Sequence, residues 1–471
     1  PTALLDIAVR KEAPTIAGPV RMQAISCDGV TIQSPRATVD VALGAALDRW
    51  QGTAGLRTDR IAAPGIRLAS LDGQIRFNGS PAHTEGDAQL RAETLQSDMV
   101  RGGAARFAGT WRVGAGRAIA AGRIEGRDLA LAPATRQQLT SAARAAAGTP
   151  VAPLAGPLAQ ALATAAGNFS LIGEVALGTA AGQPLVTVRT LAMESRSGAA
   201  VRFGDGAGLE LGERGGLRAD GVLRFGGGGL PVGRIDLAQA RPGAAVTGTA
   251  RIARYAAGDA SLALSPASFA FSPQAGWRLK TVATLTGPLG SAGRVEALRL
   301  PLDVRASGTR LSVDSSCVPA SFQSLSLSGL RLRPASLTLC PADGALLRME
   351  GGRLRGGIAT NNVRLAGALG GSPLALSIGA VRWRHADLGF TLAQVAARIG
   401  RPDSVTRLNF GQLGGRVTNG AALVGTFADG AGQIGNVPLL LSGAGGDWRF
   451  ANGALALTGA LKVADAAADP R

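Results

Sequence analysis

The sequence is short of the residues that fill protein cores and of those that carry out chemistry. Aromatics make up 4% of its 471 residues, with one Tyr, five Trp and twelve Phe, while 68 glycines and an Ala-rich apolar fraction of 46% take their place. Large side chains fill interiors at crystal-like density, so this composition argues against thick multilayer domains and favours thin sheets. Histidine is nearly absent. His83 and His385 lie far apart, which leaves little material for a Ser/His/Asp relay or a two-His metal site. His385 with Asp387 is the one pairing of note, and a surface strand end accounts for it. The glycine-rich stretches at 204–208 and 226–230 do not lead from a strand into a helix, so they read as hairpin loops, not phosphate cradles. Acidic residues stand singly, which argues against calcium-binding repeats. The expectation is a protein that is not an enzyme and uses no cofactor or metal.

Long hydrophobic runs are missing too. Residues 145–173 are uncharged but Ala-dominated and contain Pro150, Pro153 and Pro157, a poor composition for membrane insertion. The chain opens Pro1-Thr-Ala-Leu without an initiator Met or a signal segment and ends abruptly at Arg471, so it reads as part of a longer protein. Charge is one-sided: 49 Lys and Arg face 32 Asp and Glu, for a net +17, and nearly all the cations are arginine. Phosphates reward dense cations. Here, however, arginines such as Arg331, Arg333 and Arg364 sit singly at strand positions, with no basic run interleaved with aromatics. A solvated sheet face or a diffuse attraction to anionic lipid fits this distribution, and no nucleic-acid partner is expected.

What the chain does contain is a phrase of alternating residues closed by glycine. Its clearest copy is Ala451-Asn-Gly-Ala-Leu-Ala-Leu-Thr-Gly-Ala-Leu-Lys-Val463; relatives run through 169–178, 245–252, 325–332 and 363–369. Alternation with period two means strands, each with one wet and one dry face. Strands are expected at 20–26, 30–33, 38–43, 66–71, 74–77, 89–94, 105–113 and 119–124, with turns at Asp28-Gly29, Asp72-Gly73 and Asn78-Gly79. In Leu325-Ser-Leu-Ser-Gly-Leu-Arg-Leu332 the alternation slips at Gly329, which suggests a β-bulge that bends the sheet. The pattern breaks once for helices, at 134–147, stopping at Gly148, and at 157–166 with Pro157 in first position. Leu154, Leu158 and Leu162 there form an apolar stripe suited to covering a sheet edge. A weaker helical run spans 391–399.

The expected fold is all-β, a long curled antiparallel sheet forming an elongated apolar groove, with a short helical insertion. Residues 1–132 and 168–471 form groove segments and 133–167 the insertion. About 30 strands at roughly 4.8 Å spacing would extend on the order of 140 Å. Cys317 and Cys340 bracket a candidate hairpin and would form a disulfide pinning neighbouring strands; buried free thiols or a metal site are the alternatives. A bridge implies an oxidising compartment. Cys27 is expected to be buried.

The Asn-Gly-Ala-Leu-Ala-Leu-Thr-Gly phrase, the series of short strands, the Gly148-Thr-Pro-Val-Ala-Pro-Leu154 interruption and the segment from Cys317 to Cys340-Pro resemble the YdbH family. That family is similar to the AsmA and TamB bridge-like lipid transfer proteins of diderm bacteria. The resemblance implies non-enzymatic phospholipid transport through an apolar β-groove in the periplasm. It also implies an N-terminal inner-membrane anchor, missing from this chain, and a periplasmic or outer-membrane protein at the far end. Parity alone nominates Val39, Val41, Leu43, Leu325, Leu327, Leu337, Leu339, Leu455 and Leu457 as acyl-chain-lining positions, with a sandwich core as the competing use. A structural or adhesive β-solenoid is the alternative function.

Overall fold

The computed structural model describes the chain apart from residues 28, 146–149, 181–182, 213–215, 290–292, 352, 387, 419–422, 452–453 and 466–471. Its described residues form antiparallel strands throughout, with one helical insertion, as the alternation predicts. The chain divides into two compact units, Pro1–Ala146 with Ala155–Ala250, and Ala147–Leu154 with Arg251–Arg471.

Strands are longer than the expected ones. Ile66–Ser80 is one continuous strand paired on both sides, so neither Asp72-Gly73 nor Asn78-Gly79 is a turn. Gly73 sits in the ladder because the Leu90 side chain lies across it, with a methyl 2.7 Å from where a Cβ would stand. The first expected strand, 20–26, splits instead into Ala13–Arg21 and Ala24–Cys27. Residues 391–399 are likewise not helical; they belong to the strand Gly389–Ile399, paired on both edges. Gln394 takes a left-handed φ of 53° in mid-strand, which shifts the alternation by one and gives Leu392 and Val395 a helix-like spacing of three. The same left-handed conformation recurs two strands away on either side, at Asn362 and Asp429, with φ of 54° and 53°. It keeps apolar side chains on one face: Ile378 with Val381, Val395 with Leu392, and Phe410 with Leu413 pack in a single cluster.

Small hairpins are set between paired strands, three of them as follows. The first, Ala24–Cys27 with Val30–Gln33, lies between the paired strands Ala13–Arg21 and Arg36–Leu43. The second, Thr94–Ser97 with Val100–Gly102, lies between His83–Ala92 and Ala105–Gly114. The third, Ser324–Leu327 with Leu330–Leu332, lies between Val318–Phe322 and Ala335–Pro341. The slip at Gly329 is thus the turn of this hairpin and no bulge. Ser328 and Gly329 have φ of 47° and 87°, the paired positive values of a two-residue turn whose twist matches its strands. Bulges do bend other ladders, among them Val188/Leu191 and Gly204/Gly208.

The helices are α1, Pro133–Ala145, and α2, Ala152–Ala165. The expected stop at Gly148 falls outside the described residues. α2 starts five residues ahead of expectation, so Pro157 lies inside it. Pro153 occupies the first turn, where N–H groups have no helical acceptor, and Pro157 deprives only the Pro153 carbonyl of a partner. Leu154 is buried with Ala260 and Leu285, while Leu158 and Leu162 are half-buried.

Candidate functional site

Cross-strand register turns the alternation into rows. In the first unit one row runs through Gly18, Val39, Ala54, Ile75, Ala88, Gly109, Gly122, Val175, Val188, Leu209 and Ala219, each residue directly opposite the next. The row two residues along each strand reads Ile16, Val41, Gly52, Phe77, Gly86, Trp111, Ala120, Leu177, Val186, Leu211 and Leu217. The row on the other side runs from Val20 and Ala37 through Leu56, Gly73, Leu90, Phe107 and Ile124 to Gly173, Leu191, Phe203, Leu223 and Ile235. No polar side chain interrupts these rows. The opposite face carries rows such as Asp40, Thr53, Arg76, Asp87 and Thr110.

Glycines within the rows stand beside large side chains. Gly52 and Gly86 flank Phe77, and Gly86 also faces Trp111, so aromatic rings spread over bare backbone. This gives the many glycines a packing role that compensates for scarce aromatics.

These rows are not covered as a core would be. Val39, Val41, Ile75, Phe77, Phe107 and Ile124 are half-buried and Leu177 is 46% exposed. Among the described residues the only large side chains under 2% exposed are Leu129 and Val295.

Of the expected lining positions, Val39 and Val41 lie in the rows just described and Leu43 faces Trp50. In the second unit Leu325 joins Val295 and Leu332 in a row, and Leu327 faces Leu330 and is 45% exposed. Leu337 packs against Val363, Ile378 and Val395, and Leu339 faces buried Val318. Leu457 faces Trp448 and is 62% exposed; Leu455 lies opposite Phe450 in backbone register, and its side chain is outside the described residues. Sequence reasoning missed Ile75 and Phe77 because the two misread turns cut their strand into pieces.

Cys317 and Cys340 form a disulfide with a Cα–Cα distance of 4.0 Å. They extend the ladder in which Val318 faces Leu339, so the bridge closes one end of the strand pair that carries the third hairpin. Cys27 is exposed at the tip of the first hairpin, contrary to the burial expected of it.

Part of the polar face is matched in charge. Arg112 pairs with Glu85, Arg202 with Glu194, Arg224 with Asp205 and Arg234 with Asp236, all well exposed and each worth little in stability. Hydrogen bonds from His83 and from Arg112 hold the Glu85 carboxyl below its usual range. Arg278 donates two hydrogen bonds to Asp303, of 3.0 and 2.7 Å, and lowers its pKa. Asp314, nearly inaccessible, is pushed up by burial; one oxygen accepts from the Asp303 N–H at 2.7 Å and the other has no partner. His385 packs edge-on to Trp383, and Asp387 lies outside the described residues. The two histidines therefore belong to different surroundings and do not form a common site.

No described helix is long and apolar enough to cross a membrane. The antiparallel ladders also differ from the parallel coils of a repeat solenoid. No curated protein matches the sequence. Residues 1–471 match the family model described as YdbH-like, intermembrane phospholipid transport protein YdbH, and transport between membranes is consistent with the periplasm. With a whole-chain match and two-faced sheets behind it, the chain belongs to the YdbH-like family of intermembrane phospholipid transport proteins.

Proposed function

We propose that the chain carries phospholipids by holding their acyl chains against the apolar rows while headgroups stay in water. The transport is non-enzymatic and serves outer-membrane lipid homeostasis. The observation that carries this reading is the combination of uninterrupted apolar rows with half-exposed side chains. An apolar face of that extent needs a cover, and no second protein layer supplies one among the described residues. Each buried methylene is worth about 0.8 kcal/mol, so an acyl chain of about 16 carbons costs roughly 12 kcal/mol to hold bare in water. Rows such as Val41 to Leu217 offset most of that. In this reading residues 1–132 and 168–471 are groove segments flanking the insertion at 133–167. The full-length protein is anchored in the inner membrane and meets a periplasmic or outer-membrane protein at its far end.

The test is a photoreactive phenylalanine derivative placed at Val41, Leu177, Leu327 or Leu457, with Arg76 and Thr187 on the polar face as controls. Illumination in cells followed by mass spectrometry is expected to yield phospholipid adducts from the apolar positions and none from the controls. Equal labelling of both faces, or no lipid at any position, overturns the reading.

A further inference from the structure

In the second unit the polar face carries a basin rich in arginine. A cavity of about 870 Å³ is lined by Arg382, Arg384, Arg416 and Arg449, with Asp447 the one carboxylate among its described lining residues. Register explains the convergence: Arg384 faces Gly389, which faces Arg416, and Arg416 faces Val424, which faces Arg449. Strand spacing therefore sets Arg416 about 10 Å from the strands of Arg384 and Arg449, close enough for long guanidinium side chains to meet over small residues. Arg382 belongs to the next row, with Thr391, Gly414, Thr426 and Asp447. Thr391 and Thr426 bring hydroxyls to the wall, and Gly414 leaves the floor open, since a Cβ there would meet nothing closer than 3.7 Å. Behind it Trp448 donates its indole N–H to the Gly414 carbonyl at 3.0 Å, which fixes the floor.

No ion pair involves Arg382, Arg416 or Arg449 among the described residues, whereas elsewhere several arginines, such as Arg112, Arg202 and Arg224, have a carboxylate partner. The guanidinium groups of Arg382, Arg416 and Arg449 around one basin repel one another, and an anion with several acceptor oxygens relieves this. Guanidinium forks match phosphate oxygens in pairs, and the threonine hydroxyls add neutral donors.

We infer that this basin binds a phosphate group, carried either by a phospholipid headgroup or by a soluble phosphate compound. The headgroup case rests on the transport reading above; the soluble case does not. The experiment is calorimetric titration of the full chain with inorganic phosphate and, below their micelle concentrations, with dihexanoyl phosphatidylglycerol and dihexanoyl phosphatidylcholine. The variants are R416Q/R449Q, Gly414→Leu, which fills the floor, and R36Q/R57Q as an equal charge change on the first unit's polar face. Saturable binding is expected, weakened roughly tenfold or more by R416Q/R449Q and by Gly414→Leu, and less than twofold by R36Q/R57Q. Binding of both short-chain lipids but not of inorganic phosphate assigns a headgroup site; binding of inorganic phosphate at matching affinity assigns a soluble phosphate. No saturable binding, or an equal loss in R36Q/R57Q, overturns the inference. The acyl crosslinks from Val41 and Leu177 are expected to survive in R416Q/R449Q, so the basin and the groove fail or stand separately.

Discussion

Three of the small hairpins set between paired strands make a natural comparison, because only one of these three is stapled. The first two rise from long parent strands, Ala13–Arg21 of 9 residues and His83–Ala92 of 10. The third rises from Val318–Phe322, of 5 residues, and it is this pair that Cys317–Cys340 closes. A short ladder supplies few cross-strand pairs to offset the entropy of ordering a loop, and a covalent bridge removes much of that entropy from the unfolded chain. The disulfide thus stands at the shortest of these three parent strands.

Removing the bridge is the largest test of that comparison. C317S/C340S is expected to lose about 3 kcal/mol on the loop-closure model, read by denaturant unfolding. Faster amide exchange is expected in Val318–Phe322 and Ala335–Pro341, with the ladder between His83–Ala92 and Ala105–Gly114 unchanged. Uniform loosening of both would show that the staple serves the whole sheet.

A smaller loss is expected from Gly86→Val in the long ladder. A Cβ there runs into the Arg76 backbone opposite and intrudes between Phe77 and Trp111. Overpacking of this kind costs about 2 kcal/mol, so a neutral outcome would refute the steric reading of the row glycines.

The smallest effect concerns Asp314, three residues before the staple. Burial raises its pKa in the folded state, so ionisation weakens folding: stability falls as pH climbs through the carboxylate range and levels off above the folded pKa. Asp314→Asn is expected to flatten that dependence and to gain less than roughly 1 kcal/mol at neutral pH, with no difference in acid. Chemical unfolding across pH 3 to 8 reads the slope; a variant less stable than the parent at neutral pH would mean that the charge is needed.

Strand alternation was legible wherever apolar residues kept strict parity, as in 38–43, and the bridged cysteines were legible from their bracketing of strand-like runs. Two kinds of position misled it. Asp-Gly and Asn-Gly pairs look like turns, yet Gly73 and Gly79 lie in the ladder, Gly73 beneath Leu90. Gln394 breaks parity by backbone conformation, which a residue name does not announce, and so mimicked a helix. The arginine basin was invisible because its members come from separate strands and meet only through register.

The row glycines have a mechanical consequence. With rings and leucines lying flat over bare backbone, as Leu90 does over Gly73 and Phe77 beside Gly52, the face has low relief in place of deep notches. On the proposed transport reading, an acyl chain sliding over it meets shallow corrugations repeating at the strand spacing of about 4.8 Å, and friction, more than affinity, is the property that the scarcity of large side chains tunes.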